Sequence, residues 1–236
     1  MKLLRIKGFQ ETACFKKPFA FKVGETYPLP PFSTVKGMLH SVLGATSYIP
    51  FQLSIQGKSE SMLIDYQRKY MYKPKAKTKI YPLTLTTEGL AVDVPELDST
   101  LITTMPMYEH LLYNFEFVFH IGAEEAILEK LYHTLETLDN TLVLGRGEDV
   151  VRIDGVEMVE VEKGDVEETA YHQFVPIDDE ALEFVGAVPM YRLPKKYEIK
   201  HGRRQWEYVV AKFVPMNTAH YDVLVDKDGY SVFLMK

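Results

Sequence analysis

Alternating hydrophobic and polar residues predict strands in four parts of the chain. These segments share the two-residue period of a half-buried strand: 3–9, 51–57, 113–121 and 150–162. In the third segment four large apolar residues lie on one face: Phe115, Phe117, Phe119 and Ile121. The sequence therefore predicts a sheet whose strands each bury one side.

Two other segments have the three- and four-residue spacing of an amphipathic helix. The first follows Pro30 and Pro31, and its apolar stripe is Val35, Met38, Leu39, Val42 and Leu43. Ser33 is the predicted N-cap, and Gly44 is the predicted left-handed stop. The second helix is predicted from about residue 124 to residue 138.

The order of these elements is strand, helix, strand, insertion, strand, helix, strand. It is the order of a split β-α-β, or ferredoxin-like, fold of the α+β class. We expect one such domain over 1–160 with a long hairpin insertion at 58–110, the hairpin itself lying around 79–92. Residues 161–236 contain further strand-like pieces and predict a β-rich C-terminal subdomain.

The charged residues are unevenly distributed along the chain, with separate basic and acidic segments. The chain has 236 residues and a net charge of −6, which argues against indiscriminate coating of nucleic acid. However, 65–80 and 192–204 each hold six basic residues against one acidic residue. The acidic excess lies mainly in 157–183. We therefore expect basic segments that can meet a polyanion and an acidic segment that a polyanion would repel.

Several classes of protein are disfavoured. No apolar run is long enough to span a bilayer, and residues 1–9 predict a strand rather than a signal peptide, so we expect a cytoplasmic protein without a membrane partner. The single cysteine, Cys14, excludes an intrachain disulfide. GKS at 57–59 lacks the first P-loop glycine, because position 52 is Gln. We expect no metal, no cofactor and no catalytic residues.

The polar side of the first helix is a candidate phosphate site. If the apolar stripe is buried, Lys36, Gly37 and His40 face outward, with Ser33 and Thr34 at the positive end of the helix. Small residues would let another backbone approach. The alternative is a surface helix whose glycine packs against another protein segment.

The insertion is a second candidate for contact with RNA. Arg68, Lys69 and Lys73 alternate with tyrosines, a composition that suits single-stranded nucleic acid because bases stack on rings while phosphates meet cations. The alternative is a solvated lysine-rich surface.

Gly145 and Arg146 form a third candidate, since a glycine lets the backbone approach a ligand. The alternative is an ordinary turn in which Arg146 pairs with Glu148 or Asp149. Trp206, the only tryptophan, is interpreted as a core anchor in preference to a stacking residue.

The first helix and the residues before it resemble the N-terminal signature of a CRISPR-associated family, the fifth Cas protein (Cas-five) of type I surveillance complexes. The matching residues are Pro30, Pro31, Ser33, Gly37, Leu39, Leu43 and Gly44. The LGRGED loop at 144–149 resembles a second landmark of the family. With the order of elements, the resemblance covers about residues 1–160.

The resemblance implies a RAMP-type domain, ferredoxin-like or RRM-like, that binds the 5′ handle of the crRNA at one end of a Cascade assembly. It implies two protein partners, the backbone subunit, which the thumb-like insertion contacts, and the large subunit, with target DNA near the PAM end of the complex. On this basis Ser33, Thr34, Lys36 and His40 would bind the handle from the helix, and Arg146 from the loop.

One branch of the family, in type I-C systems, is itself a metal-independent ribonuclease that processes the repeat RNA. Its tyrosine lies six residues after the motif glycine, where this chain has Leu43. Tyr48 lies beyond the helix, and the Lys-His pair at 200–201 lies outside the first domain. We therefore expect a non-catalytic subunit of type I-B character. The alternatives are a processing endoribonuclease and a protein-interaction module without RNA affinity.

Overall fold

The computed structural model describes residues 1–20, 23–72, 102–177 and 187–235. Within these residues the chain forms two helices, α1 (Phe32–Val42) and α2 (Glu125–Glu136). The strands in the same residues are β1 (Lys2–Ala13), β2 (Val23–Gly24), β3 (Gln52–Lys58), β4 (Ser61–Tyr72), β5 (Ile102–Gly122), β6 (Arg152–Val166), β7 (His172–Pro176), β8 (Met190–Lys200), β9 (Arg203–Val214), β10 (His220–Asp226) and β11 (Ser231–Val232).

The strands join in one sheet with the order β11-β10-β6-β1-β5-β3-β7-β9-β8, and β2 and β4 also pair with β5. The four strands predicted from the alternating pattern form its centre. The C-terminal strands extend both edges, with β10 beside β6 and β7 beside β3. The predicted α+β class is confirmed, while the domain boundary at residue 160 stays a prediction.

The main core lies between this sheet and the two helices. The four alternating apolar residues of β5 are all buried, as the sequence predicts, together with Leu39 of α1 and Leu131 of α2. A ring stack between Phe117 and Phe119, with centroids 4.3 Å apart, fills the centre. Because each helix buries one apolar stripe, its other side is free to form a site.

Strand β5 is much longer than the predicted segment 113–121. Its C-terminal part pairs with β1 and β3, and its first twelve residues pair with β4. Asn114, with φ of 48°, lies where the partner changes from β3 to β4. The hairpin expected around 79–92 lies outside the described residues.

Helix α1 begins two residues earlier than predicted. Pro31 is its N-cap, with φ of −61°, and no side chain caps the helix, so the prediction of Ser33 as N-cap is wrong. The physical reason is that Pro31 already holds the extended N-cap conformation and Phe32, 1% exposed, is drawn into the core as the first helical residue. Gly44 has φ of +60°, which confirms the predicted stop.

The opposite face of the sheet buries a charged cluster. Arg5 of β1 and His120 of β5 both contact the carboxylate of Asp226 at the end of β10. All three side chains are at most 4% exposed. The cluster fixes the C-terminal strands to the centre of the sheet. In the described part of the chain, no helix is both long and apolar enough to cross a bilayer.

Candidate nucleic-acid interface

A cavity of about 550 Å³ lies between α1 and the β8–β9 hairpin, and we call it the helix cavity. Its walls are the polar side of α1, the turn after that helix, and the hairpin. Its lining residues are Ser33, Lys36, Gly37, His40, Ala45, Thr46, Ser47, Tyr48, Lys195, Lys196, Tyr197, Ile199 and Trp206. Four of the residues predicted from the sequence are thus brought together here.

A second cavity of about 410 Å³, the loop cavity, lies between the start of α1 and the glycine loop at 144–149. It is lined by Cys14, Phe15, Lys16, Pro18, Pro31, Ser33, Thr34, Gly145, Arg146, Pro194, Trp206 and Tyr208. The two cavities share Ser33 and Trp206 in their linings, so they lie side by side, and we call the two together the groove.

Cationic side chains predominate in the lining of the groove, although the chain as a whole is acidic and carboxylates behind the lining pair with several of them. Among the described residues that line it, five are basic and none is acidic. The basic residues are Lys16, Lys36, Arg146, Lys195 and Lys196. A groove lined in this way attracts an anionic chain in preference to an acidic or neutral peptide surface.

Lys36 is buried, not exposed as the sequence predicted. Its residue is 4% exposed, and its Nζ lies 3.4 Å from the hydroxyl of Tyr48. The prediction fails because the turn after α1 and the β8–β9 hairpin fold over the polar side of the helix. Burial lowers the pKa of Lys36 to about 8, and Lys195 and Lys196 act in the same direction. The ammonium group therefore remains largely protonated at neutral pH at the edge of the cavity.

The imidazole of His40 holds the turn that follows α1. Its Nε2 accepts a hydrogen bond from the backbone N–H of Ile49 at 2.8 Å. Because Nε2 is the acceptor, Nδ1 carries the ring hydrogen and donates it to the carbonyl oxygen of Lys36 at 2.7 Å. Both ring nitrogens are thus engaged within the protein. His40 positions the wall of the cavity, and its direct contact with RNA stays a prediction.

The hairpin wall carries two lysines and exposed aromatic rings. Lys195 and Lys196 both pair with Glu207, at 2.8 and 3.1 Å, and the Nζ of Lys196 also lies 5.8 Å from the centroid of the Tyr48 ring. One carboxylate therefore serves two ammonium groups, which leaves a net positive charge on this wall.

Trp206 belongs to this wall and not to the core. It is 37% exposed, and its ring meets that of Tyr197 edge-on with centroids 5.1 Å apart. The guanidinium of Arg204 lies 4.6 Å from the Tyr197 ring. The interpretation of Trp206 as a core anchor is wrong because β9 lies near the edge of the sheet, with its aromatic side turned toward the groove.

The glycine loop is held by one buried carboxylate. Asp149, fully buried, accepts hydrogen bonds from the backbone N–H groups of Cys14 at 3.0 Å and Arg146 at 2.8 Å. The side chain of Gln10 donates to the carbonyls of Leu144 and Asp149. The loop is therefore rigidly attached to the end of β1.

Arg146 is fixed by three carboxylates. Its guanidinium contacts Asp149 at 2.7 Å, Glu109 at 2.8 Å and Glu148 at 3.1 Å, and its side chain is 17% exposed. Burial alone would lower its pKa, but these ion pairs outweigh burial and raise it. The sequence left open a turn paired with Glu148 or Asp149; both pairs are present, and Glu109 is an additional partner. Contact of Arg146 with RNA stays a prediction.

Glu109 connects the loop to the β4–β5 strand pair. It is 2% exposed and accepts hydrogen bonds from both Lys69 and Arg146, which hold its pKa below the usual value although burial would raise it. Lys69 is therefore paired inside the protein. Arg68 is exposed on β4 and does not line the groove, and Lys73 lies outside the described residues.

Gly145→Ala is expected to lower the free energy of unfolding by roughly 1–3 kcal/mol. Gly145 has φ of +115°, and an added Cβ would lie 2.7 Å from a carboxylate oxygen of Asp149 and 3.0 Å from the carbonyl of Cys14. Urea denaturation measures the change. The matched control is Gly147→Ala, whose Cβ meets nothing within 4 Å. Equal stability of the two variants would contradict a loop held by Asp149.

Sequence reasoning noted the basic segment 192–204 but did not assign the hairpin wall to the candidate site. Residues 192–204 are basic and are followed by Trp206, the same mixture of cations and aromatic rings that favoured the insertion. That composition was an available signal. The composition does not predict that β9 pairs with β7 and that β7 pairs with β3. These pairings place the hairpin beside α1.

Comparison with known proteins supports the assignment suggested by the helix motif. The family model described as "CRISPR-associated protein (Cas_Cas5)" matches residues 3–183. No curated protein sequence matches the chain.

Solved structures that share the fold include two CRISPR proteins. One, described as "CRISPR RNA-guided surveillance complex", has a TM-score of 0.52 and 14% identity, and the match covers 92% of this chain and 91% of that one. The other is described as "Crystal structure of a CRISPR protein from Archaeoglobus fulgidus". It has a TM-score of 0.52 and 12% identity over 100% of both chains. Because the family model spans most of the sequence, the chain belongs to the Cas5 family of CRISPR-associated proteins.

Proposed function

We propose that this protein is a non-catalytic subunit of a type I CRISPR effector complex, Cascade, that binds the 5′ handle of the crRNA and caps the filament of backbone subunits. The observation that carries the proposal is the pair of adjoining cavities that make up the groove, whose described lining holds five basic residues, Lys36 and Arg146 among them, and no acidic residue. Phosphates are the ligands that such a lining favours.

The fold supports a RAMP-type, ferredoxin-like domain. The central strands have the order β6-β1-β5-β3, neighbouring strands are antiparallel, and α1 and α2 lie in the connections from β1 to β3 and from β5 to β6. This is the order of a split β-α-β fold. Near Asn114 the partner of β5 changes from β3 to β4, and we assign the β4–β5 strand pair as the thumb that would contact a backbone subunit.

Membership of the Cas5 family and the likeness to a chain of a CRISPR RNA-guided surveillance complex support an assembly role. We assign the large subunit as the second protein partner, target DNA near the PAM end as a neighbour, and subtype I-B as the system. In this arrangement RNA enters the groove beside the first turn of α1, which has no capping side chain, and its phosphates approach Lys36, Lys195 and Lys196.

A salt titration tests RNA binding by the groove. The affinity of the purified protein for RNA with the 5′ end of the mature guide is expected to fall as salt rises. Lys196→Gln is expected to flatten the slope of log affinity against log salt by about 0.7, the value for one phosphate contact on a single strand. Lys163→Gln is the control, because Lys163 lies on β6 away from the groove and pairs with Asp222.

An unchanged slope in Lys196→Gln would remove this lysine from the interface. Absence of salt-dependent binding by the wild-type protein would overturn the proposed function and favour a protein-interaction module.

A second candidate function is processing of the repeat RNA by a metal-independent endoribonuclease. It is favoured by one observation, the contact between Lys36 and Tyr48, because a lysine with a pKa of about 8 can exchange a proton near neutral pH. The ribose 2′-hydroxyl would be deprotonated and would attack the adjacent phosphate, while the 5′-oxygen leaves with a proton.

The two functions are separated by incubating the protein with repeat RNA in EDTA. Site-specific cleavage that is lost in Tyr48→Phe or His201→Ala would support the nuclease. Tight binding without cleavage would support the non-catalytic subunit.

A further inference from the structure

Trp206 lies where the helix cavity and the loop cavity meet. Of the described residues that line the groove, Trp206 and Ser33 are the two that line both cavities. Ser33 belongs to the first turn of α1, and Trp206 belongs to β9. A single strand that occupies both cavities would therefore pass close to Ser33 and the indole ring.

The indole belongs to an exposed aromatic surface. Trp206 and Tyr197 are 37% and 43% exposed, and they face each other across the β8–β9 pair. Large apolar side chains are usually buried, and aromatic rings that stay exposed beside a cavity mark a binding surface. The two rings meet edge-on, so they are not stacked face to face on each other.

Cations surround this aromatic surface. Arg204 packs on Tyr197 at 4.6 Å, and Arg192 packs on Tyr208, another residue of the loop cavity, at 4.0 Å. Lys195 and Lys196 lie on the same hairpin. Rings next to cations match a ligand that repeats a flat base and a phosphate, whereas an apolar peptide offers these cations no anionic group.

We propose that Trp206 is a nucleobase platform on which one unpaired base of the bound RNA stacks. The phosphates on either side of that base lie against the first turn of α1 and the lysines of the helix cavity. This inference rests on the proposed RNA-binding function and adds the residue that receives a base. Since every base has a π face, the contact holds the strand without reading its sequence.

Fluorescence gives a direct test because Trp206 is the only tryptophan of the chain. The full-length protein is titrated with a short single-stranded oligouridylate, and intrinsic tryptophan emission is recorded. Stacking is expected to quench the emission in parallel with binding measured independently by anisotropy of a labelled RNA. Because a uniform oligouridylate can shift its register, the abasic series uses the RNA with the 5′ end of the mature guide, in which a single abasic site is expected to restore emission at one position.

Variants then measure the contribution of the ring. Trp206→Ala is expected to weaken RNA binding by about 5- to 150-fold, the range for one stacked base. The slope against salt is expected to stay unchanged, since no charge is removed. Trp206→Phe, which keeps a ring, is expected to retain most of the affinity. Tyr221→Ala is the control, because Tyr221 is 54% exposed on β10 and does not line the groove.

The outcomes separate this inference from the function on which it rests. If the wild-type protein binds no RNA, the proposed function fails and the platform fails with it. If the protein binds RNA but emission is unchanged and Trp206→Ala binds normally, the platform alone is overturned. Quenching that no abasic site relieves would also overturn stacking, and quenching by a protein subunit without RNA would assign Trp206 to a protein interface. Circular dichroism checks that Trp206→Ala is folded, and Trp206→Phe decides the question if it is not.

Discussion

Lys36→Met is expected to stabilise the free protein and to weaken its binding to RNA. Burial lowers the pKa of Lys36 from 10.5 to about 8, so the folded state disfavours the charged ammonium. At about 1.4 kcal/mol per pKa unit, an apolar side chain of similar length is expected to raise the free energy of unfolding by roughly 1–3 kcal/mol at neutral pH. Losing one charge-assisted contact with a phosphate is expected to lower RNA affinity roughly 10- to 100-fold.

The pH dependence has a definite sign. Below pH 8 both the folded and the unfolded chain hold the proton of Lys36, and the penalty of burying the charge is fully present. Between pH 8 and 10.5 the unfolded chain binds more protons, so the stability of the wild-type protein rises with pH. The difference between wild type and Lys36→Met is therefore expected to shrink across this interval in urea denaturation.

Lys196→Met serves as the control for Lys36→Met. The side chain of Lys196 is 32% exposed and pairs with Glu207, so its replacement is not expected to stabilise the protein. If Lys36→Met is less stable than the wild type, or binds RNA as tightly, Lys36 is a structural residue rather than a functional one.

The centre of the fold could be predicted from the sequence because its signals are local. The apolar face of β5, the stripe on α1 and the stop at Gly44 each depend on residues within one or two turns or strand repeats. The start of α1 was predicted two residues late because the burial of Phe32 is a tertiary effect. The length of β5 was underestimated because its first half pairs with β4, and the two strands are far apart in the sequence.

The candidate site was predicted only on the helix side. Its residues on α1 and in the glycine loop come from short motifs, whereas Tyr197 and Trp206 reach the groove through strands that pair over long distances. The burial of Lys36 was also not predicted. A lysine on the polar side of an amphipathic helix is usually exposed, and Lys36 becomes covered only when the β8–β9 hairpin packs against α1. Both the position of the hairpin residues and the burial of Lys36 depend on strand pairing between residues far apart in the sequence, which no local sequence pattern predicts.

The same limit applies to Asp226, whose DKDG context predicts nothing more than a turn. The carboxylate is fully buried and lies 2.5 Å from a guanidinium nitrogen of Arg5 and 3.1 Å from Nε2 of His120. The carboxylate also accepts hydrogen bonds from the backbone N–H groups of Asp228 and Tyr230. Residues at opposite ends of the chain thus share one buried charge cluster.

Asp226→Ala is expected to lower the free energy of unfolding by about 3–5 kcal/mol, because it leaves the guanidinium of Arg5 buried with partners only at the surface. Urea denaturation at neutral pH measures the loss. The control is Asp154→Ala, which breaks an ion pair with Arg152 whose side chains are 66% and 41% exposed, and it is expected to cost less than about 1 kcal/mol. A small loss in Asp226→Ala would mean that Glu157 and Asp228 suffice to neutralise Arg5.

Acid is expected to weaken this cluster in two steps. Burial lowers the pKa of His120 below 6.5 even though Asp226 opposes the shift, so stability falls as pH falls below 6.5 and the unfolded chain takes up the proton.

The second step is the titration of Asp226. Burial would raise the pKa of Asp226, but hydrogen bonds from His120, the backbone of Tyr230 and Arg5 outweigh it and hold that pKa well below 3.8. The stabilisation by Asp226 is therefore complete above 3.8 and is lost as pH falls toward the depressed value. Asp226→Ala is expected to lack the second step, and an equal loss in both proteins below 3.8 would assign the acid sensitivity to other carboxylates.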